Sequence, residues 1–279
     1  MSTPVRAACV MGWPVEHSRA PIMHGYWISK YGISGDYRKE AIRPEDFPEF
    51  VSHLSEHGYV GGNITQPHKE VALALSTPDD RARAIGAANV VWLDDDELRS
   101  TNTDGDGFIT ALDHGSPGWD RNRDVAVVIG AGGASMSVVY VLLERGFKRV
   151  HVVNRTLARA EMLRDRFGSA VHPTSWDDLP SVLAEAQFLA NSSSLGMVGE
   201  PDKDWDLSSL HDDVVVADVV YAPIKTSLLA AAERRGLRTS DGLGMLLHQA
   251  GRGFELWFGV HPEVTAEQRA LVEAALKDH

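Results

Sequence analysis

The stretch VAVVIGAGGASMSVVYVLLERGFKRVHVVNRTLAR, residues 125–159, decides the fold of this 279-residue chain. It opens with the apolar, β-branched run 125–129, which is short enough to form a buried strand. Glycines and alanines follow, and the next apolar stretch predicts a helix that ends before Gly146. A second β-branched run at 149–153 completes a strand–helix–strand unit, so the sequence predicts an α/β fold.

The glycines between the first strand and the helix indicate a dinucleotide site. Gly130, Ala131, Gly132, Gly133 and Ala134 let the backbone approach a pyrophosphate closely. The helix that follows supplies unpaired N–H groups and a partial positive charge. The spacing departs from the strict G-x-G-x-x-G pattern, and the alternative is a glycine-rich turn that binds nothing. The strands and helix on either side of the loop favour the dinucleotide site.

The end of the second strand predicts which dinucleotide binds. An NAD site usually carries an Asp or Glu there, which hydrogen-bonds the ribose 2′-hydroxyl. Here Asn154, Arg155 and Thr156 occupy the position, and Arg159 follows shortly after. Two guanidinium groups can meet a 2′-phosphate through charge-assisted hydrogen bonds, so the sequence predicts NADP. The alternative is that both arginines are solvated charges at the start of a helix.

Composition and charge exclude several classes of function. With 43% hydrophobic and 24% charged residues, the chain has an ordinary globular composition for one or two domains. Its net charge of −12 argues against a nucleic-acid partner, since phosphate binding needs a cationic surface. Cys9 is the only cysteine, so we expect no disulfide framework and no metal site. The start of the chain does not resemble a signal peptide and no run is long enough for a membrane helix, which predicts a cytoplasmic protein.

The first polar loop follows a strand predicted over residues 7–12. Pro21 suits the first turn of the next helix, which is expected to run to about residue 31. Ser18 stands just before that helix, where its hydroxyl can cap the helix or face a ligand.

A second polar cluster follows the strand predicted over residues 59–65. Pro67 is expected to open a helix, so Asn63, Thr65 and Lys69 should lie together at a strand end and a first helical turn. Such a cluster is typical of a substrate site in an α/β sheet. Each residue alone is also typical of a solvated surface.

Further polar positions stand beside predicted strands in the middle of the chain. Asn89 lies at the start of a strand over 86–93, which turns at the acidic triplet 94–96. Asp104 is expected to cap a helix that begins near Phe108.

The order of these motifs resembles that of the shikimate dehydrogenase family. The resemblance covers nearly the whole chain and rests on eight ordered motifs: His-Ser-x-x-Pro (17–21), Asn-Ile-Thr-x-Pro-His-Lys-Glu (63–70), Gly-Ala-x-Asn (86–89), Asn-Thr-Asp-Gly (102–105), Gly-Ala-Gly-Gly-Ala (130–134), Asn-Arg-Thr (154–156), Asp-x-x-Tyr-x-Pro (218–223) and Asp-Gly-x-x-Met-Leu-x-x-Gln (241–249). It implies two domains. An α/β substrate-binding domain would comprise residues 1–104 and 240–279, and a Rossmann-type, doubly wound NADP-binding domain residues 105–239.

The resemblance also implies a reaction and its residues. The reaction is reversible reduction of 3-dehydroshikimate to shikimate by NADPH, with hydride transfer at C3, in aromatic amino-acid biosynthesis. Lys69 and Asp104 match the family's catalytic pair, which polarises the C3 oxygen and relays its proton. The positions that match substrate-binding residues are Ser18, Asn63, Thr65, Asn89, Tyr221 and Gln249. The positions that match residues close to the cofactor are Asp80, Val219 and Gly242.

Two positions depart from the family's pattern. The family loop normally reads Ser-x-Ser-Pro, but Ala20 replaces the second serine at this substrate-binding position and removes one hydroxyl from the substrate's carboxylate. The small side chain can also suit quinate, which carries an extra C1 hydroxyl. Met136 stands where many members have a basic residue near the phosphates.

These departures leave three hypotheses open. The first is an NADP-dependent shikimate dehydrogenase that acts on a small molecule as a monomer or homodimer. The second is a paralogue for quinate or a related ring acid, which Ala20 favours, although Asn154 argues against a preference for NAD. The third is a non-catalytic NADPH-binding regulatory protein, against which the intact pair of Lys69 and Asp104 argues.

Overall fold

The computed structural model describes residues 6–277, and the chain divides into two compact units. The first unit runs to Thr103 and resumes at Gln249, and the second spans Asp104–His248. The second division falls inside a helix, Gly242–Phe258, whereas the boundary predicted from the sequence precedes that helix.

The first unit contains a six-stranded mixed sheet. Its strands are β1 (Arg6–Gly12), β2 (Gly35–Ala41), β3 (Tyr59–Ile64), β4 (Thr77–Pro78), β5 (Val90–Asp94) and β6 (Glu97–Thr101). They are ordered β2-β1-β3-β5-β6-β4, and β1 pairs in parallel with both of its neighbours. β5 and β6 form an antiparallel hairpin, as the acidic triplet predicts, with Asp95 and Asp96 at positive φ in the turn.

Four short helices connect these strands. They are α1 (Ala20–Lys30), α2 (Phe47–Ser52), α3 (Lys69–Ala74) and α4 (Asp80–Ile85). Pro21 lies in the first turn of α1, as predicted. The prediction that Pro67 opens a helix is wrong, because α3 begins at Lys69. Lys69 still lies in the first helical turn, as predicted, because it is the first residue of α3.

The second unit contains a six-stranded sheet in which every recorded strand pair is parallel. Its strands are β7 (Val125–Ile129), β8 (Arg149–Val153), β9 (Val171–Thr174), β10 (Phe188–Asn191), β11 (Val215–Asp218) and β12 (Arg238–Ser240). Their order, β12-β11-β10-β7-β8-β9, is that of a doubly wound dinucleotide-binding fold, with β7 and β10 on either side of the switch point. The predicted fold class is confirmed.

Five of the remaining helices belong to the second unit, the next crosses the division at Gln249, and the last belongs to the first unit. They are α5 (Asp104–Gly115), α6 (Gly133–Glu144), α7 (Leu157–Phe167), α8 (Leu179–Leu183), α9 (Ser227–Arg234), α10 (Gly242–Phe258) and α11 (Ala266–Lys277). α5 begins at Asp104 itself, so the prediction that this residue caps a helix starting near Phe108 is wrong. None of the helices within residues 6–277 has the length and apolar character that a bilayer crossing requires.

The second unit's core lies on both faces of its sheet. Ala126 and Val128 of β7 pack into one cluster with α6, and Val127 and Ile129 pack into the other with α9. Successive side chains of a strand point to opposite faces, so a strand buried on both faces must be apolar throughout. This burial explains the uninterrupted apolar run from which the fold was predicted.

Candidate active site

The glycine-rich loop after β7 combines a conformation that favours glycine with open space before a helix. Gly130 has a φ of +104°, and a Cβ there would lie 3.0 Å from the backbone nitrogen of Ser193. A Cβ on Gly132 or Gly133 would instead meet nothing within 4 Å. Gly132 is the N-cap of α6 and donates its N–H to Ser135 Oγ over 3.0 Å. The loop leaves a cradle at the positive end of α6, which fits a pyrophosphate.

The other residues of this segment contribute packing. Ala131 is half-buried against the apolar cluster beneath the loop, and Ala134 is half-buried in the first turn of α6. Met136 also packs against that cluster. The N-terminal end of α6 therefore gains no charge from Met136, the position where the resemblance leads us to expect a basic residue.

The end of β8 presents two arginines without a counter-charge. Asn154 Nδ2 donates to the Thr156 carbonyl over 2.8 Å, and Thr156 is the N-cap of α7. Arg155 and Arg159 are exposed. Across residues 6–277 their guanidinium groups form no hydrogen bond or ion pair, whereas Arg164 on the same helix pairs with an adjacent aspartate. Two uncompensated cations at this strand end suit a dianionic phosphate.

A buried carboxylate joins the ends of β10 and β11. Asp218 Oδ1 accepts hydrogen bonds from Asn191 Nδ2 and from the Val220 N–H, both at 2.9 Å. Its Oδ2 accepts from Thr226 Oγ1 at 2.7 Å. Asp218 is 2% exposed, and burial raises its pKa from 3.8 to about 6. This network holds the segment after β11 against the loop after β10.

Three residues predicted near the ligands lie on or beside this held segment. The Val219 N–H donates to the Asn191 carbonyl over 2.9 Å. A Cβ on Gly242 would lie 2.3 Å from the Val219 carbonyl oxygen, so only glycine permits this approach. Tyr221 follows on the same segment with its side chain half-buried. The structure thus brings Val219 and Gly242 together at the carboxyl end of β11.

In the first unit, a hydrogen-bonded side chain lies near the end of β3. Asn63 Oδ1 accepts from the Tyr37 hydroxyl at 2.6 Å and lies 3.2 Å from His24 Nε2. Thr65 follows the strand and donates its N–H to the Met11 carbonyl over 2.9 Å. Asn63 and Thr65 are both half-buried, so their side chains remain partly accessible.

Lys69 is held by its neighbour His68. The His68 ring stacks on Phe47 with centroids 4.2 Å apart, and its Nε2 lies 2.8 Å from the Ile42 carbonyl. Burial lowers the pKa of His68, so the neutral ring donates to that carbonyl. The Lys69 carbonyl in turn accepts from the Ala88 N–H at 2.9 Å. The backbone of Lys69 is anchored on both sides while its side chain is half-buried.

Asn89 is occupied by contacts within the protein. Its Oδ1 accepts from the Thr103 N–H at 2.8 Å, and its Nδ2 donates to Thr103 Oγ1 at 3.0 Å and to Gln249 Oε1 at 2.9 Å. Asn89 is 2% exposed. Its amide therefore orients Gln249, whose Nε2 group points away from this bond. Asn89 and Gln249, predicted separately, are brought together across 160 residues of sequence.

Asp104 begins α5 directly after Thr103 and is 4% exposed. The next residue, Gly105, allows α5 to pack closely on α6, since a Cβ there would lie 2.4 Å from Val141 Cγ1. This close contact holds the helix that carries Asp104 against the helix of the glycine loop.

Ser18, Ala20 and Asp80 occupy helix starts in the first unit. Ser18 Oγ accepts from the Ala20 N–H at 3.3 Å, and Ala20 is buried as the first residue of α1. Asp80 begins α4, where its exposed side chain pairs with Arg83 at 3.1 Å. Asp79, not Asp80, caps that helix. Asp80 thus belongs to the first unit, whereas the glycine loop belongs to the second.

Several residues around these sites carried no prediction. Tyr37 and His24 contact Asn63, and Thr103 binds Asn89, but no motif marks the first two as site residues. Asn191 and Asp218 organise the second unit, and Asp218 opens the Asp-x-x-Tyr-x-Pro motif that served only the resemblance. Within the described part of the chain, no group of three or more His, Cys, Asp or Glu side chains could hold a metal ion.

The fold and the loop define a class of protein first. A doubly wound parallel sheet with a glycine cradle before α6 and unpaired arginines after β8 is a dinucleotide-dependent oxidoreductase unit of the NADP type.

Comparison with family models identifies the family. The model described as the shikimate dehydrogenase substrate binding domain matches residues 10–91. The shikimate / quinate 5-dehydrogenase model matches residues 118–198, and the shikimate 5'-dehydrogenase C-terminal domain matches residues 242–273.

Individual relatives agree with the family models. The chain is 59% identical to the NADP(+) shikimate dehydrogenase of Rhodopseudomonas palustris, over 99% of each chain. It is 31% identical to the Thermus thermophilus shikimate dehydrogenase solved with NADP(H) and shikimate, with a TM-score of 0.83 over 98% of this chain and 99% of that one. It is 30% identical to the Corynebacterium glutamicum quinate dehydrogenase solved with NAD, with a TM-score of 0.89 over 97% and 99%.

The chain belongs to the shikimate dehydrogenase family. The family and the NADP-dependent oxidoreductase class predicted from the sequence are confirmed.

Proposed function

We propose that this chain catalyses the reversible, NADP-dependent reduction of 3-dehydroshikimate to shikimate. One observation carries the proposal, which is that two kinds of site occur in one chain. The second unit has the glycine loop and, among the described residues, two unpaired arginines that suit NADP. In the first unit, hydrogen bonds orient several amide side chains. Amide and hydroxyl groups are what a small ring acid with a carboxylate and hydroxyls requires. The proposal includes a cytoplasmic location, a place in aromatic amino-acid biosynthesis and a monomeric or homodimeric state.

The proposed roles of the catalytic residues follow from their chemistry. Bound NADPH supplies a hydride for C3 of the substrate. In the reduction, the Lys69 ammonium polarises the C3 oxygen and gives it one proton, which leaves a neutral amine; in the oxidation, that amine takes the proton back from the C3 hydroxyl. The Asp104 carboxylate stabilises the charged ammonium form. The remaining positions of the first unit hold the ring acid through Ser18, Asn63, Thr65 and Gln249, with Asn89 fixing Gln249. Tyr221 serves the same purpose from the segment after β11.

The cofactor roles rest on the second unit. The Gly132 and Gly133 backbone approaches the pyrophosphate, and Arg155 and Arg159 meet the 2′-phosphate beside Asn154 and Thr156. Val219 and Gly242 lie near the nicotinamide end. Asp80 is exposed and pairs with Arg83, so the proposal that it contacts the cofactor rests only on its match to a family position.

Quinate is the second candidate substrate, and Ala20 is the observation that favours it. A methyl side chain at the start of α1 removes a hydroxyl partner of the carboxylate and leaves room near C1. The absence of a carboxylate at the end of β8 favours NADP with either ring acid.

Initial rates of oxidation of shikimate and of quinate, each with NADP and with NAD, test the proposal. Fast turnover with shikimate and NADP alone is the expected result, and it would make Ala20 a tolerated variation. A preference for quinate would support the second candidate. No turnover with either ring acid would overturn both.

A further inference from the structure

The Asn63 carboxamide has a defined polarity in the structure. Its Oδ1 accepts from the Tyr37 hydroxyl at 2.6 Å and faces His24 Nε2 at 3.2 Å. Within residues 6–277, the one hydrogen bond of its Nδ2 is a long one, 3.4 Å, to the Asn89 carbonyl. With its oxygen satisfied twice, Asn63 has N–H to offer to a further partner.

The state of His24 supports this polarity. His24 is 0% exposed, and burial lowers its pKa to about 3, so its ring is neutral. Its Nδ1 is buried and has no hydrogen-bond partner within residues 6–277. A buried N–H without an acceptor is costly, so the proton belongs on Nε2, from which it is donated to Asn63.

The two donors are themselves held in place by aromatic packing. The rings of His24 and Tyr37 stack with centroids 4.1 Å apart and planes within 18°. Trp257 lies 5.4 Å from the His24 ring and 5.9 Å from the Tyr37 ring. Phe254 lies 5.9 Å from the His24 ring on the other side. Neither donor can turn away without disturbing this cluster, because interiors are closely packed.

We propose that Tyr37 and His24 are positioning residues that hold the Asn63 carboxamide as a hydrogen-bond donor toward an oxygen of the ring-acid substrate. The inference rests on the proposed function and deepens it. A flipped carboxamide would set its N–H groups against two donors, so the observed polarity is the stable one. Asn63 therefore selects a hydroxyl or carboxylate oxygen that accepts a hydrogen bond, and disfavours a group that only donates.

The test compares two tyrosine variants of the first unit. Tyr37→Phe removes the hydroxyl that orients Asn63. Tyr59→Phe is the matched control, because Tyr59 is also buried, at 4% exposure, and its hydroxyl donates to Glu40 instead. We expect Tyr37→Phe to raise the KM for the ring acid about five- to tenfold, the effect of one hydrogen bond, with kcat within about twofold. The KM for NADP should not change in either variant, and Tyr59→Phe should leave both KM values near wild type.

A double variant tests whether Tyr37 acts through Asn63. In an Asn63→Ala background, Tyr37→Phe should have no further effect on the ring-acid KM, whereas independent roles would give additive effects. Three results would overturn the inference: an unchanged ring-acid KM in Tyr37→Phe, an equal rise of that KM in Tyr59→Phe, or additive effects in the double variant. If the wild type still turns over shikimate, the proposed function stands in each of these cases. Thermal unfolding of each variant shows whether a rise in KM reflects lost folding. If the wild type turns over neither shikimate nor quinate, the proposed function fails and the inference fails with it.

Discussion

At the scale of single residues, the proposed chemistry assigns roles to two kinds of cation that have different surroundings. Lys69 is the first residue of α3, and hydrogen bonds of His68 and Ala88 hold its backbone in place. The base of its side chain therefore has a fixed position. A lysine at a helix start opposes the helix dipole by a few tenths of a kcal/mol, which indicates a role other than stability. Arg155 and Arg159 are exposed at the end of β8 and after it, and neither guanidinium group pairs with another of the residues that the structure describes. The first cation suits proton transfer, and the second pair suits binding of a phosphate.

Replacement of Lys69 tests the catalytic role. We expect Lys69→Ala to lower kcat for shikimate oxidation by about 10²–10⁴-fold, the typical contribution of a positioned general acid or base. The dissociation constant of NADP, measured by fluorescence titration, should stay near wild type because the glycine loop belongs to the other unit. Lys148→Ala, at an exposed lysine paired with Asp124, serves as the control. A loss of NADP binding in Lys69→Ala would show that the assigned role is wrong.

Replacement of Arg155 tests the choice of dinucleotide. Arg155→Ala should raise the KM for NADP about tenfold or more, since a charge-assisted hydrogen bond to phosphate is lost, and should change the KM for NAD less than twofold. Arg164→Ala is the matched control, because Arg164 lies on α7, the helix that follows Arg155, and already pairs with Asp165. If the preference for NADP persists in Arg155→Ala, the 2′-phosphate is held elsewhere.

At the scale of elements, the loop between β7 and α6 uses its glycines for two different physical purposes. Gly130 needs a positive φ and close approach to the segment after β10. Gly132 has a negative φ of −101° with open space around it, so the protein itself does not require glycine there. Open space at the positive end of a helix suits the pyrophosphate that we propose to bind there.

The two glycines therefore predict opposite results. Gly132→Ala should leave the thermal unfolding midpoint within about 3 °C of wild type while weakening NADP binding about tenfold or more, because the methyl group occupies the pyrophosphate's place. Gly130→Ala should destabilise the second unit, since alanine disfavours its φ. Gly115→Ala, at another glycine whose Cβ would meet nothing within 4 Å, is the control for both measurements. Unchanged NADP affinity in Gly132→Ala would show that the pyrophosphate does not bind at Gly132.

At the scale of the whole molecule, a buried carboxylate makes stability depend on pH. Asp218 has its pKa raised from 3.8 to about 6 by burial, although three hydrogen bonds to its oxygens oppose the shift. The folded state thus holds a proton on Asp218 more tightly than the unfolded chain does. Its contribution to stability is full below about pH 4 and is lost as the pH rises through about 6.

The Asp218→Asn variant isolates this contribution. Asparagine keeps the shape and most of the hydrogen bonds but does not titrate, so the wild type should lose stability relative to the variant between pH 4 and pH 7. The expected loss is about 1–3 kcal/mol, from a shift of roughly two pKa units. Urea unfolding of both full-length proteins at several pH values measures it. A stability difference that is constant with pH would mean that Asp218 does not titrate in this range.

The extent to which the sequence predicts this molecule varies with the range of the interaction. The bounds of β7, α6 and β8 were predicted almost to the residue. The signals that set them, which are the apolar runs of the strands, the glycines between them and the apolar stretch of the helix, all lie within one short segment. The start of α3 was missed by two residues and that of α5 by four. Pro67 and Asp104 can each stand before a helix or within its first turn. The packing of neighbouring elements decides which of these positions each residue takes.

By itself, the sequence determined the doubly wound nucleotide-binding unit and the NADP preference, because a strand, a glycine loop, a helix and a pair of arginines are contiguous in the chain. The tertiary structure alone decided that Asn89 orients Gln249, that Asp218 joins two strand ends, and that Tyr37 and His24 set the polarity of Asn63. These partners lie 160, 27, 26 and 39 residues apart in sequence. Hydrogen-bond geometry between residues so far apart is set by the sheet order and the packing of the core, and no local pattern encodes it.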